Sequence, residues 1–371
     1  MNNRHEHVIV TSLFGAQDPV ASGWHSPGSM QADLENPSDR GGVGARGEAS
    51  DARGASAFDA ELDALAVPAR VTGAQGRLTR LLPFQRASGR TLVFFLALAH
   101  LLAAWTIVTR SSVFAWVCVL TASALCGCLG ITFCFHRLLA HRSFVAPLWL
   151  ERTTAVIGCL AFQGDPIEWV AIHRRHHRYS DGNKDPHDAT RGLLHSHLGW
   201  IATSYFEWVT PGNLLRHAPD LLRDPFYVKL KRAYWQLGAG WAILCWLVGG
   251  LDGLLWGVFV RAVLTNHSTW LVNSAAHTLG YQAFANPDRS TNCLWTAVLT
   301  FGEGWHNNHH AYPFSARHGL EWWQLDITWL LIRILERLRL VTKVQMPSAA
   351  AIAAARPPPD FASALGIRRL R

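Results

Sequence analysis

The chain has 371 residues, of which 49% are hydrophobic and only 16% are charged. Because soluble domains carry roughly 25% charged residues, this composition indicates a membrane protein, and the 17 Trp agree since indole favours the bilayer interface. The formal net charge of +8 comes from positive side chains that flank apolar runs, so anionic lipid explains it and no nucleic-acid partner is expected. The 7 Cys show no CxxC pair, which speaks against a disulfide framework or a zinc ribbon.

The ends of the chain differ in composition from its centre. Residues 1–75 are rich in Gly, Ser, Asp and Ala without sustained periodicity, so they are predicted to form a disordered N-terminal tail. Residues 346–371 are predicted to form a C-terminal tail. The segment between them, residues 76–345, is predicted to be a single membrane domain.

Four apolar runs in this domain predict four transmembrane helices arranged as two hairpins. A helix of 19 residues, such as the uncharged run that begins the domain, spans about 28 Å, close to the thickness of the bilayer hydrocarbon. Arg261 interrupts the fourth run and must face the helix bundle or a polar group, because an arginine facing lipid is costly. The predicted spans cover about residues 91–109, 111–135, 233–251 and 253–274.

The distribution of Lys and Arg predicts the orientation of these helices. Residues 136–232 carry 13 Lys and Arg, whereas the two short connections between helices contain little beyond Arg110 and Asp252. By the positive-inside rule, both termini and the segments 136–232 and 275–345 are predicted to be cytoplasmic. Residues 325–341 have one apolar face and are predicted to form an amphipathic helix on the cytoplasmic interface.

Histidine is clustered in the predicted cytoplasmic segments. Residues three and four apart share a helix face, so each HxxHH motif presents three imidazoles in one direction. The i, i+5 pair does not share a face of a straight helix, so we expect the second helix to end near its first histidine and the chain to bend. The candidate metal ligands are His136 and His141, His173, His176 and His177, His306, His309 and His310, and His277 as a ninth.

If these nine imidazoles converge, they outnumber the six coordination positions of one octahedral ion, so the sequence predicts a two-metal site. Neutral imidazole suits Fe, Cu, Ni or Zn, so the spacing does not choose the metal. A lone histidine is usually a surface residue or a satisfied core residue. The histidines interpreted in this structural way include His100, His187, His195, His197, His267 and His318.

The sequence thus predicts an all-α integral membrane protein, with four transmembrane helices in two hairpins and a cytoplasmic helical domain holding a His-rich dimetal site. Over about residues 80–345 its motifs resemble those of membrane fatty acyl desaturases of the acyl-CoA delta-9 type, and the segment QGDP resembles bacterial members. The motifs that carry the resemblance are HRLLAH at 136–141, HRRHH at 173–177, NSAAH at 273–277 and GEGWHNNHH at 302–310.

This resemblance implies a site of two Fe²⁺ ions that uses O2 as co-substrate and external electrons, from a ferredoxin or a cytochrome b5 type donor, to place a cis double bond in a long acyl chain. It also implies a bacterial inner membrane location. No catalytic residue is implied beyond the metal ligands. One iron would take His136, His141, His173, His177 and His309, and the other His176, His277, His306 and His310, with Asn273 holding a water.

The sequence leaves the substrate contacts open. Trp169 and Trp305 adjoin the histidine motifs and are candidates for contact with the acyl chain, with a packing role as the alternative. Animal acyl-CoA enzymes carry charged residues that grip CoA, and the corresponding positions here lack them. The acyl carrier is therefore either CoA or a membrane lipid. The positions that depart are Gly164, Ala171, Ile172, Ser204 and Tyr205.

Three other functions compete with an acyl desaturase. A membrane hydroxylase of the same chemistry would add oxygen instead of removing a second hydrogen. A metal transporter would place its ligands within the spans near the bilayer midplane. A zinc hydrolase would keep about three protein ligands and one open position.

Overall fold

The structure is a computed structural model that describes residues 89–356. The predicted tail 1–75 lies outside the described residues. Within the described range the chain is helical, and isolated bridges such as Val145–Thr342 take the place of any β-strand. The predicted C-terminal tail is described as far as residue 356 and contains a short helix.

Helices of very different length follow one another along the described chain. Short turns of 3-10 type (Ala189–Arg191 and Ala275–His277) and of π type (His195–Gly199 and Leu255–Val260) connect some of them. In chain order the helices are α1 (Gly89–Thr109), α2 (Val113–Ala140), α3 (Leu148–Cys159), α4 (Pro166–Tyr179), α5 (Trp200–Thr203), α6 (Tyr205–Trp208), α7 (Pro211–His217), α8 (Pro219–Arg223), α9 (Pro225–Arg232), α10 (Tyr234–Leu254), α11 (Arg261–Ser274), α12 (Leu294–Leu299), α13 (His306–Ala311), α14 (Ile327–Arg337) and α15 (Ala349–Ala355).

Three helical elements of the described chain are long and apolar enough to cross a membrane: α1, α2, and the 44-residue element Tyr234–His277 that contains α10 and α11. The last element folds back on itself. The indole of Trp241 donates a hydrogen bond of 2.9 Å to the carbonyl of Gly257, although a straight helix would separate these residues by about 24 Å. Gly250, with φ 58° and ψ −143°, supplies the non-helical backbone at which the chain reverses.

The two helical hairpins meet at their tips. Arg110 follows α1 and forms an ion pair of 2.5 Å with Asp252, which lies beside the reversal in the second hairpin. The indole of Trp256 also donates to the carbonyl of Arg110 at 3.2 Å. Arg261 is fully buried, as its position in an apolar run predicts, and it donates to the carbonyl of Gly257 at 2.8 Å.

The structure corrects the expectation that the second helix ends near His136. From Leu125 to Ala140 the helix winds as a π-helix, and the amide of His141 donates to the carbonyl of His136 at 3.1 Å, the i→i+5 pattern of a π-turn. The wider turn brings residues five apart over one another, with the rings of His136 and His141 centred 4.8 Å apart. The HxxxxH spacing is thus matched by continued helical winding, without a bend.

Candidate metal centre

Five of the predicted histidines converge near the C-terminal end of α2. One nitrogen from each ring lies within 4.8 Å of the others. Nε2 of His141 is 2.7 Å from Nε2 of His173, and Nε2 of His309 is 2.9 Å from that of His177. This five-His cluster consists of His136, His141, His173, His177 and His309.

The other four predicted histidines form a second group of the same kind, the four-His cluster, which consists of His176, His277, His306 and His310. Nε2 of His310 lies 3.0 Å from Nε2 of His306. The two clusters are neighbours, because the adjacent rings of His176 and His177 are centred 5.5 Å apart. Helices α4 and α13 each contribute to both clusters, so the three imidazoles of an HxxHH motif divide between two sites instead of serving one.

Carboxylates contact the outer nitrogens of four of these rings, an arrangement that the spacing of the histidines does not predict. Each Nδ1 directed at a carboxylate leaves Nε2 with its lone pair facing the cluster, an arrangement typical of histidine ligands to metals. The Nδ1–carboxylate contacts are His136–Glu303 at 2.6 Å, His176–Asp185 at 2.9 Å, His277–Asp181 at 2.9 Å and His310–Asp288 at 2.6 Å.

A buried arginine stabilises the carboxylate beside the five-His cluster. Arg137 is fully buried and donates to Glu303 and Asp326, with its closest contacts to them at 2.8 Å and 2.9 Å. Burial would raise the pKa of Glu303, but the Arg137 guanidinium, together with His136, holds it well below its usual range. Glu303 therefore remains ionised and available to the imidazole of His136.

The donor chemistry fits transition-metal ions. Burial and the neighbouring imidazoles lower the pKa of His173, His177 and His309 well below the usual range, which keeps these rings neutral as metal ligation requires. In the four-His cluster, the buried Nε2 atoms of His176 and His277 have no hydrogen-bond partner among the described residues. Converging lone pairs of this kind are satisfied by a cation, and imidazole suits first-row transition metals.

Two cavities lead to the clusters. The large cavity has a volume of about 470 Å³ and extends from α1 and α9 to Trp169 and His173, with a mostly apolar lining. A smaller cavity of about 40 Å³ lies against both clusters and is lined by His136, His173 and His306 among others. The two cavities share Trp169, His173, Thr269 and Asn273 in their linings, so the large cavity ends at the histidines.

The two tryptophans predicted to contact substrate lie in different surroundings. Trp169 lines both cavities and stacks on the ring of His173 at 5.0 Å between centroids. Trp305 is fully buried, donates to the carbonyl of Leu325 at 2.8 Å, and is absent from the lining of either cavity. Trp169 therefore faces both cavities, whereas Trp305 packs in the protein interior.

Two acidic residues, Glu168 and Asp165, lie near the site, and Asp165 comes directly before α4. It caps α4 by accepting from the amide of Ile167 at 2.9 Å and also lies 2.7 Å from Nζ of Lys231. Glu168 pairs with Lys231 and accepts from Tyr205 at 2.8 Å. Both carboxylates line the large cavity and neither contacts a histidine within the described residues.

Two histidines beside the clusters were interpreted as ordinary structural residues. His187 is buried, and its ring is centred 4.2 Å from that of His176. His318 is fully buried, its Nδ1 lies 3.2 Å from Glu303, and its ring is centred 4.3 Å from that of His309. It occurs in the loop before α14, eight residues beyond the last HxxHH motif, and nothing in the local sequence distinguishes it from an isolated histidine. Only the tertiary fold brings it to the five-His cluster.

Comparison with known proteins agrees with this architecture. Residues 111–338 match the family model described as fatty acid desaturase. The sn-1 stearoyl-lipid 9-desaturase of Anabaena variabilis is 46% identical over 257 residues, which cover 68% of this chain and 92% of that protein. The protein of the same name in Synechocystis sp. is 42% identical over 266 residues, covering 71% and 82%. An acyl-CoA 5-desaturase of Anemone leveillei is 45% identical over 229 residues, covering 62% and 71%. The chain therefore belongs to the fatty acid desaturase family, whose members are oxidoreductases.

Proposed function

We propose that this protein is an oxygen-dependent desaturase that inserts a cis double bond, of the delta-9 type, into a long acyl chain carried by a membrane lipid. The observation that carries the proposal is the junction of the large cavity with the two histidine clusters at Trp169 and His173. This cavity of about 470 Å³ is lined mostly by apolar side chains, which suits a long acyl chain.

We propose two iron ions as the metals of this site. The five-His cluster and the four-His cluster would each hold one ion, and Asn273, which lines both cavities, would hold a water. When bound, the iron ions supply from O2 the oxidising power that an unactivated methylene requires. The chain holds the imidazoles neutral by burial, fixes their orientation through carboxylates, and seats the acyl chain against them while excluding water.

The surroundings of the large cavity favour a lipid over CoA as acyl carrier. Lys231 is already engaged by Asp165 and Glu168, and with Arg232 the charged side chains that line this cavity sum to zero, so the cavity offers the phosphates of CoA no excess of positive charge. The two relatives with sn-1 stearoyl-lipid in their names support the same carrier. Supplying the purified protein with stearoyl-CoA and with stearoyl-lipid in separate reactions tests this choice; turnover of stearoyl-CoA alone would contradict it.

Expression in a host that lacks unsaturated fatty acids, followed by mass spectrometry of its lipids, tests the reaction. We expect an acyl product lighter by two hydrogens, whereas a gain of one oxygen would establish a hydroxylase. Replacing a cluster histidine by alanine, as in His136→Ala, His176→Ala, His277→Ala or His309→Ala, is expected to abolish the product while the protein still inserts. His195→Ala is the matched control, because His195 belongs to neither cluster.

We also propose four membrane crossings, with both termini and the metal centre on the cytoplasmic side. The reversal at Gly250 divides the third apolar element into two spans, and the pair Arg110–Asp252 brings the tips of both hairpins together. A cysteine at Gly249, where a side chain meets no neighbour within 4 Å, should react with an impermeant maleimide added outside the cell. A cysteine at the exposed Glu207 should not react until the membrane is opened. The reverse pattern would invert the proposed orientation.

The proposed reaction requires electrons from an external donor. Each turnover consumes two electrons, which we propose arrive one at a time from a ferredoxin or a cytochrome b5 type donor. Reconstitution of the purified protein with each donor and its reductase, using formation of the unsaturated product as the readout, distinguishes the two.

A further inference from the structure

The two histidine clusters differ in the carboxylates that surround them. Within the described part of the chain, one carboxylate contacts the five-His cluster, at His136. Three carboxylates contact the four-His cluster, at His176, His277 and His310. Three of the four rings in that cluster therefore have Nδ1 at hydrogen-bonding distance from an aspartate, whereas only one of the five rings in the other cluster contacts a carboxylate among the described residues.

The positive charges nearby increase this difference. Glu303, the carboxylate of the five-His cluster, forms an ion pair with Arg137, and Asp326 is paired with the same guanidinium. No Lys or Arg side chain of the described residues forms an ion pair with Asp181, Asp185 or Asp288. The local charge is thus about −1 beside the five-His cluster and about −3 beside the four-His cluster.

Burial strengthens the electrostatic effect of these carboxylates on the four-His cluster. The side chains of Asp181, Asp185 and Asp288 are at most 8% exposed, so solvent screens them little. A backbone amide also donates to each carboxylate, from Arg289 to Asp181 at 2.7 Å, from Asp181 to Asp185 at 2.8 Å and from Ser290 to Asp288 at 2.9 Å, which stabilises the ionised form. The aspartates also draw the Nδ1 protons toward themselves, which makes each imidazole a stronger electron donor through Nε2.

The negative charge of the aspartates and the stronger electron donation by Nε2 both stabilise the ferric state of a bound iron ion relative to its ferrous state. We infer that Asp181, Asp185 and Asp288 are positioning residues that stabilise the ferric state of iron in the four-His cluster. Iron in the five-His cluster has less such stabilisation. This inference rests on the proposed di-iron function. Reduction at either position converts Fe³⁺ to Fe²⁺ with one electron from the external donor. The five-His cluster therefore takes the first electron and the four-His cluster the second.

The test uses the full-length protein, purified in detergent after growth with ⁵⁷Fe. Iron content and formation of the unsaturated lipid are measured first, and a protein without iron or without this product would refute the proposed function itself. The loaded protein is then reduced stepwise with dithionite and redox mediators under anaerobic conditions and followed by Mössbauer spectroscopy. We expect two separate reduction steps, with one ferric and one ferrous ion in the half-reduced sample.

Variants assign the two steps. Asp181→Asn, Asp185→Asn and Asp288→Asn should each raise the potential of the lower step and leave the upper step in place. Asp188→Asn is the matched control, because Asp188 is a buried neighbour of Asp185 that accepts from Thr190 and contacts no cluster imidazole. Two ions that reduce in one step in the active wild-type protein would overturn the inference, and so would aspartate variants with full iron content and unchanged potentials. If a variant loses iron, the inference is judged from the number of reduction steps in the wild-type protein.

Discussion

Nδ1 of His136 lies 2.6 Å from Oε2 of Glu303, and both side chains are almost completely buried. Because Glu303 also accepts from the fully buried Arg137, one carboxylate connects a proposed iron ligand to the charge network under α2. The orientation of the His136 imidazole and the charge compensation of the Arg137 guanidinium thus both depend on Glu303.

Glu303→Gln is expected to weaken metal binding and stability together. The variant removes the negative charge that orients His136, which should lower iron affinity about 10- to 100-fold. It also leaves Arg137 with Asp326 as its remaining charged partner, and disruption of a buried ion pair costs about 3–5 kcal/mol. The iron-to-protein ratio and thermal unfolding of the metal-free protein measure the two effects. Glu207→Gln, an exposed control, should change neither, and full iron content in Glu303→Gln would show that Glu303 does not orient the ligand.

Close backbone packing between α2 and α3 is tested at a glycine. A Cβ on Gly130 would lie 2.6 Å from Cα of Gly158, a backbone atom that cannot rotate away. Gly130→Ala should therefore lower the free energy of unfolding by about 1–3 kcal/mol or more. Gly240→Ala is the matched control, because its Cβ meets nothing within 4 Å and alanine favours a helix by about 1 kcal/mol. Unfolding of both variants in detergent, followed by circular dichroism, makes the comparison, and equal midpoints would contradict close packing here.

The spacing of the histidines could be predicted because a helix converts sequence separation into direction. His173, His176 and His177 lie on one helix, as the HxxHH motif indicates, and the apolar runs match the long helices α1 and α2. The reversal at Gly250 also lies only two residues before Asp252, at which the third and fourth runs were separated. Local sequence periodicity was sufficient to predict these features.

Other features of the site depend on contacts that the sequence does not encode locally. Asp288 and Asp181 reach their imidazoles from loops whose approach is set by tertiary packing, so neither has a spacing rule relative to His310 or His277. The π-winding of α2 has no hydrophobic period of its own and was mistaken for a helix end. Likewise, no local pattern pairs Asp165 with Lys231, which is 66 residues away in the sequence.

The two tryptophans near the histidines should respond differently to substitution. Trp169→Leu removes a wall shared by both cavities, so we expect altered turnover or double-bond position with normal iron content. Trp305→Leu removes a fully buried indole and its bond to Leu325, so we expect a loss of about 3 kcal/mol in stability. Product analysis and thermal unfolding separate the two outcomes. A change of product in Trp305→Leu at unchanged stability would instead place that residue at the substrate.

A buried histidine away from the clusters should make the metal-free protein sensitive to acid. Burial, reinforced by Arg175, lowers the pKa of His217 from 6.5 to about 3. Between these values the unfolded chain binds one more proton than the folded protein, so stability falls as pH falls, by about 1.4 kcal/mol per unit. Neither ring nitrogen of His217 has a hydrogen-bond partner among the described residues, so leucine loses no such bond.

His217→Leu should therefore gain stability relative to wild type as the pH is lowered. Between pH 7.5 and pH 5 the difference in unfolding free energy should shift by about 2 kcal/mol in favour of the variant. Denaturant unfolding of both metal-free proteins across this range measures the shift. His195→Leu should show less change, because His195 is more exposed and burial lowers its pKa without the same cluster of arginines. Parallel pH profiles for wild type and His217→Leu would mean that His217 is protonated in the folded protein, and its guanidinium neighbours would then have to move away from it.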